Sequence, residues 1–236
     1  LLQCPVFEVF FGGARGGGKS EAMLGEWAQH AQMYGKHAIG RFFRRERTQL
    51  KEIMERAKEI YIPIGAKWRE SEKEFVFPNG ARLLFAYLER DADAEAYQGL
   101  NLTRLYFEEL GNFPDPKPTH KLKATLRSAN GVPPGFRATG NPGGVGQSWI
   151  KERYIKPAPL GWKVISEGNL ERVFIPSKIT DNPKLLENDP GYIDRLNASG
   201  SPELVKAWLD GNWDVIEGAF FDCWNAAKHV VRPVEL

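Results

Sequence analysis

Cysteine is scarce in this chain: Cys4 and Cys223 are the 2 among 236 residues. Two thiols so far apart give no disulfide framework, and they are expected to stay reduced, as in a cytoplasm. Histidine is also scarce. His30, His37, His120 and His229 show neither H-x-x-x-H spacing nor a paired cysteine at ligand spacing, so no zinc site built of protein ligands is expected. No apolar run approaches the roughly 18 residues that a membrane-spanning helix needs. An excess of one charge is missing too: 32 Lys+Arg against 30 Asp+Glu leave a net charge of +2. Any nucleic-acid contact must therefore come from a local patch. No repeat, low-complexity segment or signal pattern is visible, and residue 1 is Leu, so the sequence is expected to begin inside a longer chain. At 42% hydrophobic and 26% charged residues, it reads as a globular protein of one large or two small domains.

Glycine, by contrast, is concentrated. Gly12, Gly13, Gly16, Gly17 and Gly18 fall within the stretch that leads to Lys19-Ser20. From Gly13 to Ser20 it reads G-x-x-x-x-G-K-S. An apolar strand pattern, Val6 to Phe11, precedes it, and helical spacing from Ser20 to Tyr34 follows, with Gly35 as the stop. A strand, a glycine-rich loop and a helix opening on Lys-Ser form a phosphate cradle. The residues from Gly13 through Ala14, Arg15, Gly16, Gly17, Gly18, Lys19 and Ser20 to Glu21 are the expected nucleotide-binding set. Lys19 would reach the β- and γ-phosphates, Ser20 would ligate Mg²⁺, and the helix N-terminus would add its positive dipole end.

A second informative stretch is Leu102 to Glu109, an apolar strand that ends in two carboxylates, Glu108 and Glu109. Placed beside the first strand, it would carry both acids to the sheet's carboxyl edge, where ligands bind. One acid would hold Mg²⁺, and the other would orient and deprotonate the attacking water. Side chains alternate along a strand, so adjacent acids naturally take different tasks. Downstream, Phe136 to Thr139 reads as a strand leading into Gly140-Asn141-Pro142. A Thr-Gly-Asn at a strand end suits a γ-phosphate sensor, and an ordinary Asn-Pro turn accounts for the same residues.

The remaining pattern alternates strand and helix. His37–Phe43 is an expected strand and Thr48–Tyr61 a helix. Between them Arg41, Arg44, Arg45 and Arg47 cluster; Arg44, Arg45 and Arg47 are candidate DNA contacts, with a solvated basic face as the other reading. Glu74–Phe77 and Ala81–Tyr87 flank Pro-Asn-Gly as a hairpin. Residues 88–99 read as a loop with a helical turn. Thr119–Ser128, Ser148–Ile155, Pro190–Ala198 and Pro202–Leu209 have helical patterns; Gly161–Ser166 and Arg172–Ser177 read as strands, and Asp181-Asn182-Pro183 as a turn. Trp27 is expected in the core.

The order of these motifs resembles the ATPase domain of the large terminase subunit of tailed bacteriophages and prophages. The resemblance rests on Gly12 to Glu21, Arg44-Arg45, Tyr97-Gln98-Gly99 leading into Leu105 to Leu110, Thr139-Gly140-Asn141-Pro142, and Trp208 to Trp213. It implies an α/β P-loop NTPase of the additional-strand, catalytic-glutamate (RecA-like) type: a central, mostly parallel sheet flanked by helices, with an inserted β-hairpin. The resemblance also divides the chain into an ATPase domain at 1–214, with a small helical subregion at about 178–214, and a linker at 215–236 toward a nuclease domain that this chain lacks; Asp222 is then a lone structural acid.

Carried over by position, Glu109 is the catalytic glutamate, Glu108 the Mg²⁺-associated acid, and Arg15 a nucleotide sensor acting with Lys19. Thr139, Gly140 and Asn141 form the motif that couples hydrolysis to movement. Glu108 stands where the family usually has Asp. Gln98 stands where some members carry an arginine finger, leaving Arg90 and Arg104 as candidates. The implied cofactors are ATP and Mg²⁺. The implied partners are double-stranded DNA, a portal and procapsid, a small terminase subunit, and further copies of the chain in a ring, with a monomer in isolation left open. The implied place is the host bacterial cytoplasm, with no membrane partner. Translocation of viral DNA into a procapsid is the function that follows. Two alternatives stand beside it. A helicase-like translocase would need a second RecA-like domain that 236 residues do not hold. A docking module with weak ATPase would be marked by loss of Lys19, Ser20 or Glu109, all of which are present. A GTPase is disfavoured because N-K-x-D is absent.

Overall fold

A computed structural model describes residues 1–214; the expected linker 215–236, with Asp222 and Cys223, lies outside the described residues. The described residues place nine strands in one sheet, in the order β3-β4-β5-β2-β6-β7-β1-β9-β8. β1 (Glu8–Gly13) pairs in parallel with β7 (Gly135–Gly140) and with β9 (Leu170–Ser177). β2 (Ile39–Arg44) pairs in parallel with β5 (Arg82–Tyr87) and with β6 (Arg104–Phe107), and β6 pairs in parallel with β7. Both ends of the sheet turn antiparallel: β3 (Lys67–Arg69) and β4 (Glu74–Val76) extend β5, and β8 (Val164–Glu167) extends β9. The expected hairpin is β4–β5. Its turn closes through Phe77 N–H to Ala81 O at 2.9 Å and Gly80 N–H to Phe77 O at 2.9 Å, and Gly80 supplies the positive φ of 85°.

One expectation is corrected here. The strand carrying the acids does not lie beside β1, because β7 is inserted between β6 and β1. The consequence is favourable to a site: Phe11 faces Thr139 and Gly12 faces Gly140 across the β1–β7 ladder. The Thr-Gly-Asn stretch thus emerges beside the glycine-rich loop, with the acids one strand further on.

A mostly parallel sheet needs cover on both faces, and the strand alternation provides two cores. Phe42 and Tyr106 point to one face and Phe43, Leu105 and Phe107 to the other. On the first face lie α1 (Lys19–Tyr34) and α2 (Arg47–Tyr61), contributing Met23, Leu24, Trp27, Leu50, Ile53 and Tyr61. Trp27 is fully buried, as its helical spacing leads one to expect, and Gly40 of β2 leaves it room: a Cβ there would sit 2.5 Å from the indole. On the second face lie α3 (Lys117–Lys123) and α4 (Gln147–Ile150), which continues as a π-helical turn, Lys151–Ile155. After β9 come α5 (Pro183–Asn188), α6 (Tyr192–Asn197) and α7 (Pro202–Asp210). Leu196, Leu204, Val205 and Trp208 form a small cluster between the last two helices.

Candidate nucleotide site

The glycine-rich loop leaves β1 at its carboxyl end and is pressed against β9. Ala14 N–H donates to Ser177 O at 2.8 Å, and a Cβ on Gly13, at φ 141°, would collide with that same carbonyl. Gly16 (φ 75°) and Gly18 (φ 72°) take left-handed conformations that a side chain would strain. Gly18 is the N-cap of α1 and makes no side-chain cap. The first N–H groups of the helix, those of Lys19, Ser20 and Glu21 among them, therefore remain available to an anion, with the dipole's positive end behind them.

Lys19 is buried at 8% exposure, and its ammonium donates across the loop to Ala14 O. Burial pushes its pKa down to about 8, against the opposing pull of Glu109 and Glu108. The ammonium is held by one backbone carbonyl, and two carboxylates act on it only through their charge, an arrangement in which phosphate oxygens can take the carbonyl's place. Arg15 is exposed and turns the other way: its guanidinium lies 3.6 Å over the Trp208 ring, while its N–H donates to Trp208 O at 2.9 Å. Trp208 in turn donates Nε1–H to Pro142 O at 3.2 Å, so α7 joins the glycine-rich loop to the loop after Asn141. Asn182 donates to Gly16 O at 2.8 Å from the far side. Spacing singles out neither Trp208 nor Asn182 as a site residue; the Asp-Asn-Pro turn is the visible signal for Asn182.

The two acids reach the site by an unexpected route. β6 ends at Phe107, so strand alternation no longer applies to Glu108 and Glu109. Glu109 adopts φ 55° and ψ 51°, a left-handed conformation unusual for a side chain. The turn leaves both carboxylates acting on Lys19 through their charge. Glu108 is buried; it accepts from the Ser20 hydroxyl on Oε1 and from Arg44 Nε at 2.6 Å on Oε2. Glu109 is half-buried, with its N–H 3.4 Å from Thr139 Oγ1 and its Oε1 accepting from Asn141 Nδ2 at 3.3 Å. Gly140 keeps the strand end slim: a Cβ there would lie 3.3 Å from the Phe10 ring.

Ser20 and Glu108 present a hydroxyl and a carboxylate oxygen side by side. That hard-oxygen pair fits Mg²⁺, which takes one or two protein ligands and leaves its remaining positions to phosphate and water. Among the described residues no group of three or more His, Cys, Asp or Glu could cage a metal by itself.

Three expected site residues behave differently from their expectation. Arg44 cannot offer its charge to DNA: its side chain is 10% exposed, paired with Glu108, and its Nη1 donates to Gln49 O at 2.9 Å. Burial opposes its charge, and the adjacent Glu108 carboxylate outweighs that, holding its pKa above the ordinary value. The Glu21 carboxylate faces away from the loop onto Arg56 of α2, at 2.6 and 3.0 Å, so only its backbone N–H can serve the cradle. Arg104 is bound to Glu26 at 2.8 Å inside the protein and cannot reach another subunit. Of the remaining arginines, Arg45 pairs with Asp91 at 2.8 Å, whereas Arg47 is exposed, as is Gln98.

Comparison with known proteins joins this geometry to a family. The family described as terminase large subunit, T4likevirus-type, N-terminal, matches residues 10–223. The chain belongs to the terminase large subunit family. Solved terminases share its fold. The large terminase of a thermophilic bacteriophage, in complex with ADP, superposes with a TM-score of 0.69 at 16% identity, over 96% of this chain and 54% of that one. The same terminase with ATP-gamma-S gives a TM-score of 0.67 at 17% identity, over 97% and 54%. The ATPase domain of the Thermus phage P74-26 large terminase gives 0.56 at 15% identity, over 87% and 88%. This terminase chain thus spans about half the length of the thermophilic phage's protein, and its mixed α/β sheet is the RecA-like P-loop fold of terminase ATPase domains. No curated protein matches its sequence significantly.

Proposed function

We propose that this chain is the ATP-hydrolysing part of a phage DNA-packaging motor. One observation carries the reading: Ser20, next to the P-loop lysine Lys19, is hydrogen-bonded to Glu108, both Glu108 and Glu109 act on Lys19 through their charge, and Glu109 is hydrogen-bonded to Asn141 at the neighbouring strand's end. In this reading the N–H groups of the glycine-rich loop and α1 bind the phosphates, and Lys19 leaves Ala14 O for the β- and γ-phosphate oxygens. Ser20 and Glu108 would hold Mg²⁺, which would supply positive charge against the negative charge that develops on the phosphate. Glu109, less buried than Glu108 and without its arginine partner, orients a water against the γ-phosphate and takes its proton. Thr139, Gly140 and Asn141 then report phosphate loss, and Trp208 carries the same signal from Arg15 toward the loop at Pro142.

Double-stranded DNA, a portal and procapsid, a small terminase subunit and a ring of identical copies in the host bacterial cytoplasm complete the proposal. A neighbouring copy would supply an arginine to the site; Arg90, with its side chain 84% exposed, is the accessible candidate in this chain. The deciding measurement is ATP turnover beside nucleotide binding. Lys19→Ala is expected to weaken nucleotide binding. Glu109→Gln is expected to bind ATP as the wild type does and to lose hydrolysis by at least about 100-fold, within the range for a general base. Normal hydrolysis by Glu109→Gln would show that this carboxylate is not the base.

A further inference from the structure

Glu108 raises a problem of reach. A glutamate carries one more rotatable bond than an aspartate, so its carboxylate can wander from a metal position that a shorter acid would hold. An alternative partner is the ammonium of Lys19, the residue before Ser20, which is attracted by this carboxylate's charge. Yet Glu108 is held at both oxygens. Oε1 accepts from Ser20, the other candidate metal ligand, and Oε2 is taken by Arg44 Nε at 2.6 Å. Arg44 is itself fixed from a third direction. It ends β2, the strand next to β6, and its Nη1 donates to Gln49 O in the first turn of α2 at 2.9 Å. Its planar guanidinium spans the two acceptors in one rigid fork.

We propose that Arg44 is the positioning residue for the metal-associated acid: it clamps Glu108 Oε2 so that Oε1 alone faces Ser20 and a single carboxylate oxygen is presented to Mg²⁺. This assignment rests on reading Ser20 and Glu108 as the metal end of an ATPase site. It replaces the DNA-contact role that the arginine cluster suggests, which burial and two spent donors exclude for Arg44. Without the clamp the carboxylate is free to swing to Lys19 and away from Ser20.

The test uses Mn²⁺ as the probe, read by the electron paramagnetic resonance signal of the free ion, with the 236-residue chain and ADP. Wild type, Arg44→Gln and Arg44→Lys are compared. ADP binding in EDTA and thermal melting are measured on the same samples. Arg44→Gln is expected to raise the Mn²⁺ Kd about 10-fold or more, the range seen when a partner behind a metal ligand is removed, with ADP affinity in EDTA unchanged. Arg44→Lys, which restores charge but not the two-point fork, is expected to fall between the two. Three results overturn the assignment. Unchanged Mn²⁺ affinity with a lowered melting temperature makes Arg44 a purely structural residue. Tighter Mn²⁺ binding makes it a competitor for the metal site. Loss of ADP affinity in EDTA makes it a phosphate ligand. Failure of the wild type to bind ADP at all overturns the ATPase reading itself, and this assignment with it.

Discussion

Glu109 sits at φ 55° and ψ 51°, and a residue with a side chain holds that conformation only when its surroundings fix it, at a cost of roughly 1–3 kcal/mol. Asn141 and Thr139 provide the fixing contacts, at 3.3 Å to the carboxylate and 3.4 Å to the N–H. A hydrogen bond to a charged group contributes about 1.5–3 kcal/mol. Asn141→Ala is therefore expected to lower kcat for ATP roughly 10- to 100-fold while nucleotide Kd moves less than about threefold. A matched loss in affinity would place Asn141 on the phosphate instead of on Glu109. The same residues show what spacing can and cannot disclose. Lys19, Ser20 and the acid pair are legible because their chemistry is local: a loop closes over its own backbone, and two acids end a short apolar strand. The partner of Arg44 is not legible, because it depends on β2 lying next to β6, a neighbourhood that no local pattern encodes. Glu21 reads as part of the cradle by position, but its side chain leaves the first turn toward α2, a direction that only packing sets.

At the scale of elements, α1 is tied along its length. Its front is the proposed phosphate cradle. Its back carries Glu26, which takes Arg104 of β6 at 2.8 Å, lies 3.5 Å from Arg137 of β7 and accepts from Tyr106. One turn on, His30 Nε2 meets Thr103 Oγ1 at 2.9 Å, with Trp27 and Tyr34 packed on its ring. The helix of the phosphate loop is thereby tied to the two strands that carry the acids and the Thr-Gly-Asn stretch. Burial pushes His30 down to about 3, Arg104 and Arg137 add to that, and Glu26 opposes it. A folded-state pKa below the unfolded value of 6.5 means that the unfolded chain takes the proton first. The contribution of neutral His30 is present above pH 6.5 and is lost as pH falls from there toward 3. Burial pushes Glu8 the other way, upward, but Arg153 and Lys123 outweigh it and hold the carboxyl at about 2, so Glu8 adds acid sensitivity only below its ordinary 4.5.

Urea unfolding between pH 6.5 and 4.5 thus isolates His30 from Glu8. The wild type is expected to lose up to about 1.4 kcal/mol per pH unit from this one proton, and His30→Gln is expected to flatten that slope; an equally steep slope in the variant would assign the acid sensitivity elsewhere. Elements are legible where periodicity is long, as in α1 and α2. β3 has three residues and α5 has six with none buried, so neither offers an apolar period to detect. The insertion of β7 between β6 and β1 is a matter of long-range pairing, and sequence order is silent on it.

For the whole molecule, near-neutral charge constrains how DNA would be held under the proposed function. With 32 basic against 30 acidic residues, a phosphate-binding surface has to be assembled from groups that the fold has not already consumed. Much of the arginine is consumed: Arg44, Arg104, Arg137 and Arg153 serve buried carboxylates at Glu108, Glu26 and Glu8. The cluster after β2 therefore divides, with Arg44 inside, Arg45 half-spent on Asp91 and Arg47 outside at the start of α2. Each phosphate contact contributes about −0.9 to the slope of log K against log salt. Arg47→Gln is then expected to weaken binding to a DNA duplex of any sequence and to make the slope shallower by roughly one unit. Arg44→Gln is expected to leave that slope where it was, because a guanidinium paired with Glu108 releases no counterion from DNA. An unchanged slope in Arg47→Gln would move the proposed DNA-facing surface of this terminase chain away from the β2–α2 corner, and a changed slope in Arg44→Gln would mean that the Arg44–Glu108 pair opens when DNA binds.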